Sequence, residues 1–331
     1  MFNNKTILIT GGTGSFGQVF TRYLLKHHPE IRRIVIFSRD EQKQHEMARK
    51  INPAKYPVRY LLGDVRDLRR VHEAMREVNI VVHAAAVKHV PIAEANPMEV
   101  VKTNILGAQN VIDAALDAEV EKVVALSTDK AVHPINTYGA SKLLLEKLFL
   151  FADLENSDGK TRFCVVRYGN IFGSKGSVVP FFLKEKAKGI LPVTSPDMTR
   201  FSITLQESID LVLFALTHGW GGEVVVPVAP SYRVVDVARA VCPECRQEII
   251  GKRKGEKLEE ILISVDESYD SVERDGYRII CPVQGRWDRE EYLRSTDAVP
   301  LKEGEAYRSG ANDRWLDMEA IRRLIREQTI L

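Results

Sequence analysis

Short apolar runs alternate with stretches of helical periodicity through the first half of the chain. Lys5–Thr10 (KTILIT) is apolar on both faces, as a strand buried inside a parallel sheet must be. Arg33–Phe37, Arg59–Leu62, Ile80–His83, Lys122–Leu126 and Arg162–Arg167 read as further strands. Helical patterns fill the intervals at Phe16–Lys26, Glu41–Lys50, Leu68–Val78, Val100–Ala118 and Ser141–Leu154. Strands alternating with helices predict an α/β class fold, a doubly wound parallel sheet. After Asn170 the rhythm breaks. Gly173–Gly176 and Gly189–Pro196 read as loops, Leu205–Leu216 as a helix and Val224–Val228 as a strand. The expected division is a nucleotide-binding domain over residues 1–172, with 201–219 returning to it. A smaller mixed α/β substrate lobe is expected from 173–200 and 220–331.

Composition narrows the function classes. Hydrophobic residues are 44% and charged residues 28% of the 331, ordinary globular usage. Forty-seven basic against 45 acidic side chains leave +2, with no global pull towards nucleic acid or anionic membrane. No apolar run reaches the roughly 18 residues of a membrane span. The N-terminus enters a strand at once, without the pattern of a secretory signal. Four cysteines in this length make no disulfide framework, and a reducing cytoplasm is expected. Cys242 and Cys245 read as a redox-sensitive pair in a loop. A zinc site needs about four ligands, and Cys164 and Cys281 supply no second paired spacing, so no metal is expected.

The connection after the first strand is Thr10-Gly11-Gly12-Thr13-Gly14-Ser15-Phe16-Gly17. Glycines between a buried strand and a helix let the backbone approach a pyrophosphate at the helix N-terminus, the Rossmann arrangement. The second strand ends in Ser38-Arg39-Asp40, with Lys43 one turn on. A hydroxyl and a guanidinium suit a 2′-phosphate, whereas an acidic side chain suits free ribose hydroxyls. Ser38, Arg39 and Lys43 therefore point to NADP, and Asp40 remains the competing ribose ligand. Asp64 and Val65 follow the third strand, at the expected adenine edge. Ala84, Ala85 and Ala86 follow the fourth, small enough for a dinucleotide to lie across them.

Tyr138 and Lys142 are four residues apart and share a helix face. A neighbouring ammonium favours the phenolate, making Tyr138 a candidate base for a substrate hydroxyl during hydride removal. Thr128-Asp129-Lys130 follows the fifth strand, whose C-terminal end faces the ligand crevice of such a sheet. Asp129 and Lys130 read either as an acid and a base for one substrate or as a turn with a helix cap. The residues alone leave both open.

These features together resemble the extended short-chain dehydrogenases/reductases. More narrowly, several strings are similar to the inverting UDP-N-acetylglucosamine 4,6-dehydratases that open pseudaminic acid biosynthesis. They are SRDEQKQ (38–44), GDVRDL (63–68), HAAAVKHVPIAEANP (83–97), LSTDKAVHPINTYGASK (126–142), VRYGNIFGSKGSVVPFF (166–182), MTRFSIT (198–204), KGEKLEE (254–260) and NDRWL (312–316). The resemblance implies internal hydride transfer through NADP, from sugar C4 to C6, with loss of the C6 hydroxyl as water. It implies Tyr138 as acceptor of the C4 hydroxyl proton, Lys130 as C5 base, Asp129 as acid, and Thr128 and Lys142 beside them. Lys88 is implied at both cofactor and substrate. Asn170, Ser177, Val178, Met198, Thr199, Arg200, Arg253 and Glu256 are implied to hold the UDP-sugar, with the loop 174–179 along the nucleotide. A homo-oligomer, from dimer to hexamer, is implied too. Related deoxythymidine-sugar dehydratases carry Glu where this chain has Lys130, which fits inversion at C5. One departure is Lys254, where relatives often carry Pro, so a looser loop is expected there.

Two other functions stay in view. A retaining dehydratase or a UDP-sugar 4-epimerase would use the same fold; the epimerase needs Tyr138 and Lys142 but not the Asp129–Lys130 pair. A non-catalytic NADP-sensing protein would tolerate loss of the tyrosine and lysine, which this chain keeps.

Overall fold

The computed structural model describes residues 1–156, 159–174 and 176–328. Its centre is a ten-stranded sheet. Six parallel strands open it: β1 (Thr6–Thr10), β2 (Arg33–Ser38), β3 (Val58–Leu62), β4 (Ile80–His83), β5 (Lys122–Thr128) and β6 (Arg162–Tyr168). They run in the order β3-β2-β1-β4-β5-β6, so the direction of winding reverses between β1 and β4. Every residue of β1 and β4 is buried, in keeping with the unbroken apolar runs. Alternate side chains feed separate cores on the two faces: Leu8, Val35 and Phe37 on one, Ile7, Ile9, Ile34 and Ile36 on the other.

Beyond β6 the sheet continues with Val224–Pro227, parallel, and then with Tyr277–Ile280, Ser271–Arg274 and Val299–Pro300, all antiparallel. These four strands lie in the stretch expected in the smaller lobe. The physical reason is the exposed ladder that β6 would otherwise leave at its edge, which the apolar VVVP run covers. The helix Leu205–His218 packs in the second core through Ile209, Leu211, Val212 and Ala215.

A third core defines the smaller lobe. It gathers Phe172, Val179, Phe182, Leu191, Val193, Tyr232, Val237 and Ile321. Its frame is a parallel pair, Ile190–Val193 with Arg246–Ile249, and a three-stranded sheet of Ser231–Arg233, Thr199–Ile203 and Asn170–Ile171. Cys242 and Cys245, read from the sequence as a redox-sensitive pair, are joined by a disulfide at the end of the helix Val234–Val241. Among the described residues no helix is long and apolar enough to cross a membrane, and no His/Cys/Asp/Glu group is placed to hold a metal.

Candidate active site

A crevice of 1460 Å³ runs along the C-terminal ends of the parallel strands and under the smaller lobe. Gly11, Gly14, Ser15, Phe16 and Gly17 line one end. Gly11 sits at φ 64°, and a Cβ there would press on the Ala85 backbone at 2.9 Å. The loop can therefore lie flat against the β4 end only as glycine. Ala84, Ala85, Ala86 and Lys88 continue the wall. That wall is pinned by Asn104, a fully buried side chain that accepts from Val87 N at 2.8 Å and donates to Val87 O at 3.0 Å and Ser141 Oγ at 2.9 Å. Asn104 lies in a π-helical stretch, Val101–Leu106, within the helix expected over 100–118. Such widened turns often serve sites.

The cofactor-selecting residues divide. Arg39 and Lys43 line the crevice. Asp40 does not; its carboxylate caps the helix Glu41–Lys50 by accepting from Lys43 N at 3.0 Å, and pairs with Lys43 Nζ at 2.6 Å. Ser38 and Thr13 are buried and bond each other at 2.8 Å, bracing the glycine loop from behind. Asp64 also stands off the crevice, paired with Arg66 at 2.7 Å and facing Arg39 at 3.8 Å, and Val65 is core. Thr13, Ser38, Asp40, Asp64 and Val65 are thus supports of the wall and not part of its lining.

The catalytic candidates converge at the middle. The helix Thr137–Glu155 begins at Asn136, whose side chain accepts from Gly139 N at 2.8 Å. Gly139 lets this helix start press on the turn after β5, because a Cβ there would collide with the Lys130 carbonyl. The contact brings Tyr138 beside Thr128 and Lys130, all three on the crevice wall. Lys130 Nζ donates to Asp129 Oδ1 at 2.9 Å and to Asn170 Oδ1 at 3.4 Å. Thr128 Oγ1 donates to the same Asp129 oxygen at 2.8 Å. Asp129 itself is 0% exposed, and its Oδ2 has no hydrogen-bond partner among the described residues. The expected acid lies beneath the crevice floor, reached through Thr128 and Lys130.

Burial works to discharge Lys130, but Asp129 and then Glu260 outweigh it and push the pKa up. Burial raises the Tyr138 phenol to about 12, opposed by the Lys130 charge and a Thr128 hydrogen bond. The ammonium that favours the phenolate is therefore that of Lys130, not that of Lys142 as the spacing led one to expect. Lys142 Nζ donates instead to the Leu126 carbonyl at 2.8 Å, and burial lowers its pKa to about 8. It faces the crevice from deeper in the wall.

On the substrate side Asn170, Ser177, Val178, Met198, Arg200, Arg253 and Glu256 all line the crevice. Thr199 does not: in its strand it points the other way, where its hydroxyl bonds Ser309 Oγ at 2.8 Å. Lys175, inside the loop 174–179, lies outside the described residues. The loop around Lys254, expected to be loose, is held at two points. Asn136 Nδ2 donates to Gly255 O at 2.9 Å, and Lys257 Nζ donates to Val132 O at 2.6 Å. Two site residues escaped the sequence reading. Asn104 left a faint signal, an Asn within the helical stretch Val100–Ala118. Glu260 closes the KGEKLEE string, but only the fold carries it to Lys130.

Residues 7–282 match the family described as polysaccharide biosynthesis protein. A UDP-N-acetylglucosamine 4,6-dehydratase (inverting) from Campylobacter jejuni is 48% identical over 332 residues, 98% of this chain and 98% of that protein. A UDP-glucose 4-epimerase from Rickettsia conorii is 46% identical over 294 residues, 86% of this chain and 85% of that one. The X-ray structure of Pen from Bacillus thuringiensis superposes with a TM-score of 0.90 at 35% identity, covering 100% of both chains. With the family matched over most of its length and relatives this similar, the chain belongs to the polysaccharide biosynthesis protein family, on a short-chain dehydrogenase/reductase type of fold.

Proposed function

We propose that this protein is an inverting UDP-N-acetylglucosamine 4,6-dehydratase that uses NADP. The observation that carries the reading is the ion pair between Lys130 on the crevice wall and Asp129 beneath it, beside Tyr138, in a chain similar end to end to a dehydratase of that name. The crevice takes a nucleotide cofactor along the glycine loop and the alanine wall. Preference for NADP is supported by Arg39 and Lys43 on the lining and by Asp40, already spent as a helix cap. The bound dinucleotide supplies hydride removal at C4 and return at C6.

The protein's own groups handle the protons. Tyr138 accepts the C4 hydroxyl proton, favoured by the adjacent Lys130 charge. A proton moved across the 2.9 Å contact from Lys130 to Asp129 turns the ion pair into a neutral amine and a neutral acid, with no change in total charge. Lys130 is then the base for the C5 proton, made acidic by the C4 ketone. Asp129 is the acid for the departing C6 hydroxyl, its proton relayed through the Thr128 hydroxyl. Arg200, Arg253 and Glu256 are placed for the diphosphate and ribose, a task that suits guanidinium groups.

A 4-epimerase reading is favoured by the Rickettsia relative, but it leaves the Asp129–Lys130 pair without a task. Incubation with UDP-N-acetylglucosamine and NMR of the product separates the two. A 4-keto-6-deoxy sugar with C5 inverted, formed without added reductant, is expected. Accumulation of the C4 epimer, UDP-N-acetylgalactosamine, would overturn the dehydratase reading.

A further inference from the structure

Glu260 immediately precedes the short strand Ile261–Ile263 and belongs to neither the glycine loop nor the Tyr138 helix. It is 2% exposed, yet its carboxylate reaches the crevice. Oε1 lies 3.4 Å from Lys130 Nζ and 3.8 Å from Arg200 Nε. Its backbone is fixed on both sides by Ser309: Glu260 N donates to Ser309 Oγ at 2.9 Å, and Glu260 O accepts from Ser309 N at 2.9 Å. Among the described residues Oε2 has no hydrogen-bond partner, like Oδ2 of Asp129. Two buried carboxylates thus flank one ammonium. The other titratable or charged groups around them are Tyr138, Arg200, Lys257 and Tyr232. Burial, then the Asp129 charge, push the Glu260 carboxyl up, while Lys130, Arg200 and Lys257 pull it down.

The proton inventory gives this second carboxylate a task. When the C5–H bond breaks, its electron pair is held as the enolate of the C4 ketone, and it forms the C5–C6 double bond afterwards, as the C6–O bond breaks. The departing hydroxide takes the Asp129 proton through Thr128 and leaves as water, and the C5 proton ends on Lys130. While Lys130 is gaining charge, Asp129 still holds its proton. Glu260 is then the second carboxylate within reach of Nζ, carried on a backbone that Ser309 holds on both sides before the reaction begins.

We propose that Glu260 is a positioning residue for C5 deprotonation: its carboxylate aims the Lys130 amine and stabilises the ammonium formed there. This rests on the dehydratase reading above. The test uses the NADP-loaded enzyme with 5-deuterated UDP-N-acetylglucosamine. Absorbance at 340 nm in a single turnover reads C4 oxidation, and loss of label to solvent reads C5 deprotonation. Glu260→Gln should leave C4 oxidation within about threefold of wild type and slow C5 label loss by about 10²-fold, the scale seen when a preorganised charge-stabilising partner is removed. Because the lost carboxylate had favoured the ammonium, the pH at which Lys130 becomes a competent base should move down. Glu260→Asp, which withdraws the charge by one methylene, should slow only the C5 step, by about three- to tenfold. Equal losses in both steps, or wild-type C5 rates in both variants, would overturn the proposal while wild type still dehydrates. A wild-type enzyme that oxidises C4, keeps the C5 label and yields the epimer would overturn the dehydratase reading, and this proposal with it.

Discussion

Arg167→Ala tests how the segment around Leu262–Glu267 is tied to the catalytic strands. The Arg167 side chain, at the end of β6, is 2% exposed. It makes one two-pronged pair with Glu146 of the Tyr138 helix, at 3.0 and 2.6 Å, and another with Glu267, at 3.0 and 2.8 Å. It also donates to the Leu262 carbonyl at 2.9 Å. Glu146 is as buried as Arg167 and also accepts from Ser127 Oγ, at 2.5 Å. Truncating the arginine leaves that carboxylate buried and facing a second one. Breaking a buried pair in this way costs about 3–5 kcal/mol. Against a total stability of about 5–15 kcal/mol, the loss is large. A urea titration of the cofactor-free protein should show a clearly lower midpoint with unchanged slope. The pH dependence carries a second signature. Burial would raise the Glu267 carboxyl, but Arg167 outweighs it and holds the pKa below its ordinary value. Stability from this pair is therefore present above the unfolded carboxylate pKa and lost as pH falls through the depressed one. Arg167→Ala should lose that acid-side dependence. A variant within about 1 kcal/mol of wild type at neutral pH would refute the reasoning.

Lys130→Ala should still bind cofactor, should oxidise C4 more slowly because Tyr138 loses its neighbouring ammonium, and should fail to exchange the C5 proton; full turnover by that variant would remove Lys130 from its role. Arg39→Ala should weaken NADP binding by about 10–100-fold, the worth of one charge-assisted hydrogen bond, and leave NAD binding unchanged. A calorimetric titration in which both cofactors shift together would refute the NADP assignment. His83 is fully buried at the end of β4, where its Nδ1 meets Thr10 Oγ1 at 2.9 Å; burial, then the Lys142 charge, bring its pKa down to about 3. The unfolded chain binds that proton between about pH 6.5 and 3 and the folded one does not, so stability falls as pH drops through that window. His83→Gln should flatten the acid limb of the stability curve, and coincident limbs for the two proteins would refute the assignment.

Local signals carried much of the architecture. Unbroken apolar runs such as Thr6–Thr10 and Ile80–His83 mark buried parallel strands because no residue there has a wet side. The glycine loop was legible because positive φ and close backbone approach leave few other residues possible. The Tyr138/Lys142 spacing was visible, but the direction of the lysine was not. Spacing places two side chains on one face, and only packing decides that Lys142 turns to the Leu126 carbonyl while Lys130 reaches the phenol. Thr199 failed for a related reason: within a strand, adjacent residues face opposite ways, so Met198 and Arg200 line the crevice and Thr199 meets Ser309.

By itself the sequence determined the strand–helix alternation, the phosphate loop and the chemical types at the reaction centre, since each depends on residues close together in the chain. Only the tertiary structure decided that Val224–Pro227 and Tyr277–Ile280 extend the large sheet, that Asp129 is sealed under the floor, and that Glu260 meets Lys130 across 130 positions of chain. Those outcomes depend on which edges are covered and which charges are left facing one another once the lobes close, and no local pattern of residues encodes them.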